Sequence, residues 1–135
     1  MKKVILTTFW VIFFTGTALA QSVESQIREF AIREHPNDPS MQQFTYERQF
    51  AAYRFMLSVE DGDVKQIAIQ EYPSDYAMQK YTFSKQLSAK HYMEAVTDQE
   101  VKQIAIREYP NDYAMQKYTF DKQLSAKRYM DNVIK

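Results

Sequence analysis

Two stretches of the chain decide its fold: VKQIAIQEYPSDYAMQKYTFSKQLSAKHYM, from Val64 to Met93, and VKQIAIREYPNDYAMQKYTFDKQLSAKRYM, from Val101 to Met130. They align without a gap at a spacing of 37 residues and differ only at Gln70/Arg107, Ser74/Asn111, Ser84/Asp121 and His91/Arg128. Upstream, Ile27 to Met56 is a third and more diverged copy at the same spacing, identical to the last at 14 of 30 positions. All three copies share Glu34/Glu71/Glu108, Pro36/Pro73/Pro110, Asp38/Asp75/Asp112, Met41/Met78/Met115, Gln42/Gln79/Gln116 and Gln49/Gln86/Gln123. Self-similarity at a fixed period of this length marks an array in which each copy is one supersecondary unit. The units fall at about 24–60, 61–97 and 98–135.

Each unit reads as a short helix, a tight turn and a long helix. Thr97-Asp98-Gln99-Glu100 has the form of a capping box opening the short helix of the third unit. That helix runs through Val101, Ile104 and Ala105 towards Glu108, where Pro110 ends it. Proline lacks an amide donor and disfavours helical geometry at the residue before it. Asp112 marks the next start. In the first unit the equivalent Asp38 is followed by Pro39, and proline at the first helical position is what an N-capping aspartate expects. The expected architecture is all-α: three helix-turn-helix units stacked as a solenoid-like array or closed into a compact six-helix bundle.

The long helix of the third unit is expected over about 113–133. At 100° per residue its apolar positions form two stripes, one of Tyr113, Phe120 and Leu124, the other of Met115, Tyr118, Ala126, Tyr129 and Val133. This pattern places Tyr118 and Tyr129 in the core and leaves Asp121 and Arg128 on the solvent face between stripes. Gln116 and Gln123 lie seven apart on one side, as do Gln79/Gln86 and Gln42/Gln49. A repeated buried glutamine can satisfy its amide by hydrogen-bonding across to the next unit; a row of amides facing a peptide or glycan is the functional counterpart.

The chemistry of catalysis is thinly represented. The chain has no cysteine, no glycine-rich phosphate loop and no Gly-x-Ser-x-Gly. His35 and His91 sit where the other units carry other residues, without metal-ligand spacing. Glu71/Asp75 and Glu108/Asp112 pair carboxylates across the proline turn, and their repetition in every unit points to a structural task. No catalytic residue, metal site or cofactor is expected. Tyrosine is the better signal, because it couples a large apolar surface to a hydroxyl that reaches a partner. Tyr72, Tyr76, Tyr109 and Tyr113 flank the repeated prolines and are candidate binding residues, together with Gln79 and Gln116.

The 20 N-terminal residues have the layout of a secretory signal peptide. Lys2 and Lys3 precede the apolar run from Val4 to Phe14, and Ala18-Leu19-Ala20 supplies the small-x-small cleavage pattern. The run is shorter than the ~20 residues of a membrane span, so cleavage after Ala20 and no membrane span thereafter are expected. With 17 basic and 17 acidic side chains in all, the chain offers no electrostatic reason to bind nucleic acid. The first unit is rich in phenylalanine (Phe30, Phe44, Phe50, Phe55) and reads as a specialised end unit. The third is almost a copy of the second, so the stripe that the second buries against the third has no fourth unit to cover it. Self-association or a protein partner is expected at that end.

The string Tyr109-Pro110-Asn111-Asp112-Tyr113-Ala114-Met115-Gln116-Lys117-Tyr118, with Gln123 five residues on, resembles the tandem YPxDYxMQxYxxxxQ motif of small exported bacterial proteins. The resemblance spans all three units, the first departing at His35, Pro39 and Phe44. It implies an exported helical domain, periplasmic or secreted, and carries no activity with it. The tetratricopeptide pattern does not fit. Together these readings point to a non-catalytic exported helical-repeat module that binds protein, with carbohydrate or cell-wall binding through the turn tyrosines as the alternative.

Overall fold

A computed structural model describes residues 21–133; the expected signal peptide and its cleavage site at Ala20 lie outside the described residues, as do 134–135. The described chain is helical, in the order α1 (Val23–Glu34), α2 (Pro39–Ser58), α3 (Gly62–Glu71), α4 (Tyr76–Ala95), α5 (Gln99–Glu108) and α6 (Tyr113–Val133). Short and long helices alternate as the sequence pattern requires.

Local chemistry explains the start of each described helix and the end of each short one. The Asp38, Asp75 and Asp112 carboxylates each accept the amide N–H three residues on, from Met41, Met78 and Met115 at 3.0 Å. These bonds satisfy one of the orphan donors that a helix start leaves open. The short helices open in the same way on Ser22, Asp61 and Asp98. The cap of α5 is therefore Asp98 and not Thr97: its Oδ1 accepts from Val101 N–H at 3.1 Å while Oδ2 accepts a hydrogen bond from the Lys127 ammonium at 3.0 Å. A threonine hydroxyl has no second oxygen for that double role. At the other end, His35, Tyr72 and Tyr109 close the short helices by donating their N–H groups to the carbonyls of Ala31, Ala68 and Ala105, each immediately before a turn proline.

Packing repeats as well. Each short helix lies on the long helix that follows it, and α4 lies between α2 and α6, with no comparable contact joining α2 to α6. Met56, near the end of α2, is buried among Val64, Ala68 and Phe83 of the second unit; Met93 of α4 is buried in the same way among Val101, Ala105 and Phe120 of the third. Each methionine is worth ~1.5–3 kcal/mol of burial, and its flexible thioether fills the notch between two helices of the next unit.

The inner face of the long helices is partly polar. Thr45 and Gln49, then Gln79, Thr82 and Gln86, then Gln116 and Thr119 are all buried. This corrects the two-stripe pattern expected for these helices. Tyr118 and Tyr129, assigned there to the core, are exposed. Counting tyrosine as apolar and glutamine as polar mistakes the inner face, because here the glutamines are the side chains whose partners lie inside. Asp121 and Arg128, expected on the solvent face, are half-exposed and exposed, and Asp121 also accepts from the hydroxyl of Tyr92 across the rim of the seam between units.

Candidate functional site

The two glutamine rows have different work. Gln49 of α2 reaches into the second unit, where its Nε2 donates to Asp75 Oδ1 at 2.7 Å and its Oε1 accepts from Ala77 N–H at 3.0 Å. Gln86 repeats both bonds with Asp112, at 2.9 Å, and Ala114 N–H, at 3.0 Å. A single amide thus locks the middle of one long helix onto the cap of the next. The other row stays within its own unit: Gln42, Gln79 and Gln116 donate to the turn carbonyls of His35, Tyr72 and Tyr109, all at 2.7 Å. Gln79 and Gln116, expected as candidate binding residues, are each 3% exposed. Their place is structural, since releasing them would strand a buried amide and a turn carbonyl.

The four turn tyrosines separate into two kinds. Tyr76 and Tyr113, at the first positions of α4 and α6, sit in the seams between units. The Tyr76 ring meets Tyr53 edge-on at 5.1 Å between centroids, and burial, aided by Tyr53, raises its phenol pKa. Tyr113 packs against the Met56 cluster, with the Lys90 ammonium 5.5 Å from its centroid. Tyr72 and Tyr109 are half-buried at the turn edges, where partial desolvation and then the Glu71 carboxylate raise the Tyr72 pKa. The structure does not gather the four into one site.

What it does gather is a row that sequence reasoning placed elsewhere. Phe44, Tyr81 and Tyr118 occupy the same position in the three long helices and are 55%, 61% and 60% exposed. Because α2, α4 and α6 lie side by side, the three rings form a line across one surface, stepping by roughly the 8–10 Å of helix packing. A cation follows each ring by one helical turn, at Arg48, Lys85 and Lys122, all exposed; the Arg48 guanidinium lies 5.9 Å from the Phe44 centroid. Beside Tyr81, between α2 and α4, runs a groove lined by Arg48, Ala51, Ala77, Met78, Lys80 and Tyr81. The signal was present in the sequence: Tyr118 lies about opposite the mean direction of Gln116, Thr119 and Gln123 at 100° per residue. It is legible only once those residues are known to face inward.

Electrostatics reinforce a structural reading of the acidic residues. Lys90 pairs with Asp61 at 2.7 Å, and Lys127 with Asp98 at 3.0 Å and Glu100 at 2.9 Å. The Lys90 hydrogen bond holds the Asp61 carboxyl below its ordinary range; for Asp98 the Val101 N–H contributes most, followed by Lys127. Asp75 and Asp112, the turn carboxylates of the paired-acid pattern, already accept from a cap amide and a glutamine on one oxygen. Among the described residues, no group of three or more histidines, aspartates or glutamates is placed to hold a metal ion, and no helix is long and apolar enough to cross a membrane. The turn aspartates Asp75 and Asp112 and the pairs at Asp61, Asp98 and Glu100 are thus engaged in caps and ion pairs. Comparison of the chain with protein-family models, curated proteins and solved structures found no match.

Proposed function

We propose that this chain is an exported, non-catalytic helical-repeat module that binds another protein, acting in the periplasm or outside the cell. The observation that carries the reading is the exposed line of Phe44, Tyr81 and Tyr118, each followed by a cation. Isolated apolar side chains on a surface are ordinary, but aromatics repeated in register over adjacent helices make a contiguous patch, and such patches mark interaction sites. Aromatic rings beside arginine or lysine are also the residue types that dominate interface energetics. Export rests on the layout of the first 20 residues. The uncovered end of the third unit is a second contact surface.

The test is crosslinked capture from the native envelope with tagged protein, comparing the natural chain with Tyr81→Ala plus Tyr118→Ala. Both side chains are exposed, so stability should change by no more than ~0.5 kcal/mol per site. Loss of a defined protein partner with unchanged circular dichroism supports the proposal. Saturable binding to purified peptidoglycan that the same pair abolishes would move the surface to the carbohydrate alternative. Unchanged binding of every partner would overturn the role of the row.

A further inference from the structure

We propose that the chain associates head to tail with itself, the exposed end of α6 in one copy seating on the α1–α2 face of a second through the contacts that join consecutive units. The inference shares with the proposed function only the premise that the module works through protein contact; it uses the ends of the array and not the aromatic row.

The end of α6 presents, exposed, the equivalents of the residues that are buried at the two seams between units. Met56 and Met93 are 3% exposed, whereas the equivalent Met130 is 52% exposed, beside exposed Tyr129 and Val133. Gln49 and Gln86 each spend both ends of the amide on the next unit. The equivalent Gln123 has no hydrogen bond from its side chain to any described residue and is half-buried at the same place on α6. Ala126, exposed, corresponds to the buried Ala52 and Ala89.

The head carries the matching positions: Ile27 and Ala31, equivalent to Val64 and Ala68, are already buried against their own unit, and half-buried Tyr46 with exposed Ile32 supplies the apolar surface still open. An open groove between α1 and α2 is lined by Ala31, Ile32, Pro39, Gln42, Gln43 and Tyr46. Ala31 and Tyr46 correspond to Ala68 and Phe83, which receive Met56, and to Ala105 and Phe120, which receive Met93. Among the described residues Asp38 Oδ1 accepts from Met41 N–H alone, where Asp75 and Asp112 accept a second bond from a glutamine. Ser40 corresponds to Ala77 and Ala114, whose N–H groups donate to that same glutamine. Pro39 leaves this donor in place, because the amide it removes is one residue earlier.

One further pair matches across the gap. Where the second unit presents Tyr92, the third presents Asp121 to accept its hydroxyl; where the first presents Phe55, with no hydroxyl, the second presents Ser84. The tail ends on Tyr129, which has a hydroxyl, and the head carries Glu47, a carboxylate, at the position of Asp121. The Glu47 side chain is exposed and, among the described residues, engages only Gln43, through one oxygen. Ends that supply complementary halves of an interface already built twice within the chain are a reason to commit to a second copy as the occupant. Such a contact joins unlike surfaces, so association continues beyond the dimer, to a ring or an open filament according to the rotation per copy.

The experiment uses protein beginning at Gln21, which holds all six helices, followed by sedimentation equilibrium over a range of concentrations. The weight-average mass of the natural sequence should rise continuously with concentration. Met130→Asp disables the tail and Tyr46→Asp the head; each alone should be monomeric, association weakening by at least ~30-fold, the size of an interface hot spot. Mixed in equal amounts, the two variants should form a one-to-one pair and nothing larger, because only one intact head and one intact tail can meet. Glu47→Lys, at an exposed position, is the second head variant and should weaken association by about tenfold. Circular dichroism checks that each variant is folded. A natural chain that stays monomeric up to ~1 mM, a folded Tyr46→Asp protein that still dimerises through its tail, or folded variants that fail to pair would each overturn the proposal. Tyr81→Ala plus Tyr118→Ala should leave association unchanged, so failure of the aromatic-row reading and failure of this one are separately visible.

Discussion

At the scale of the residue, the same side chain has different worth in different copies of the unit. Gln86 is buried with both ends of its amide engaged in the third unit, while Gln123 has no described partner. Gln86→Ala should therefore cost ~1–3 kcal/mol, the penalty for stranding the Ala114 N–H and emptying the space. Gln123→Ala should stay within ~0.5 kcal/mol. Equilibrium urea unfolding of both variants, at concentrations where the chain is monomeric, checks the contrast. Methionine gives a second version of it. Met93→Ala opens a cavity among Val101, Ala105 and Phe120 and should cost ~2–5 kcal/mol, whereas Met130→Ala removes a side chain already half in solvent and should be nearly silent in the monomer. Equal losses at Met93 and Met130 would mean that the end of α6 is packed after all.

At the scale of the element, helix starts do more than begin helices. Asp75 and Asp112 cap α4 and α6 while accepting from the glutamine of the preceding unit; Asp38 only caps. Asp75→Ala should lose the usual ~1 kcal/mol of a cap and more, since Gln49 Nε2 is left without its acceptor in a buried seam, so the loss should exceed that of Asp38→Ala in thermal unfolding. The caps of the short helices are sensitive to acid. Asp61 and Asp98 are held below the ordinary carboxylate value of 3.8, by Lys90 in the first case and by the Val101 N–H and Lys127 in the second. A depressed folded pKa means stability that is complete above the unfolded value and lost as pH falls through the folded one. The melting temperature should hold from neutrality to about pH 4 and then fall, with Asp61→Asn flattening part of that fall. Both groups are largely solvated, so the effect of each is modest.

At the scale of the whole molecule, stability should behave as a chain of neighbours. Each unit is held by its own helix pair and by the seam to the next, the arrangement in which end units open first. The end of α6, exposed from Ser125 to Val133, should show the fastest amide exchange of the helical residues. If the chain grows head to tail, that protection should rise with protein concentration, a change that hydrogen-exchange mass spectrometry at two concentrations reads directly. Protection independent of concentration would separate fraying from association and leave the tail unoccupied.

Much of the architecture was legible before any coordinates. The period of 37 residues, the prolines that end the short helices and the aspartates that start the long ones are local in their causes, and the observed helices begin and end where those residues stand. Backbone geometry and capping act over three or four residues, so sequence alone determines them. Tertiary structure decided which side of each long helix faces inward. Gln79, Thr82 and Gln86 are buried and Tyr81 is exposed, an inversion that periodicity and hydropathy cannot anticipate. Whether a glutamine can be buried depends on partners outside its helix: Gln79 on the carbonyl of Tyr72, Gln86 on a carboxylate 26 residues further along the chain. Tyrosine, apolar in body and polar at its tip, is stable on either side. The units and their limits were therefore written in sequence, while the candidate surface and the two complementary ends emerged only when neighbouring units supplied the hydrogen bonds that sorted inside from outside.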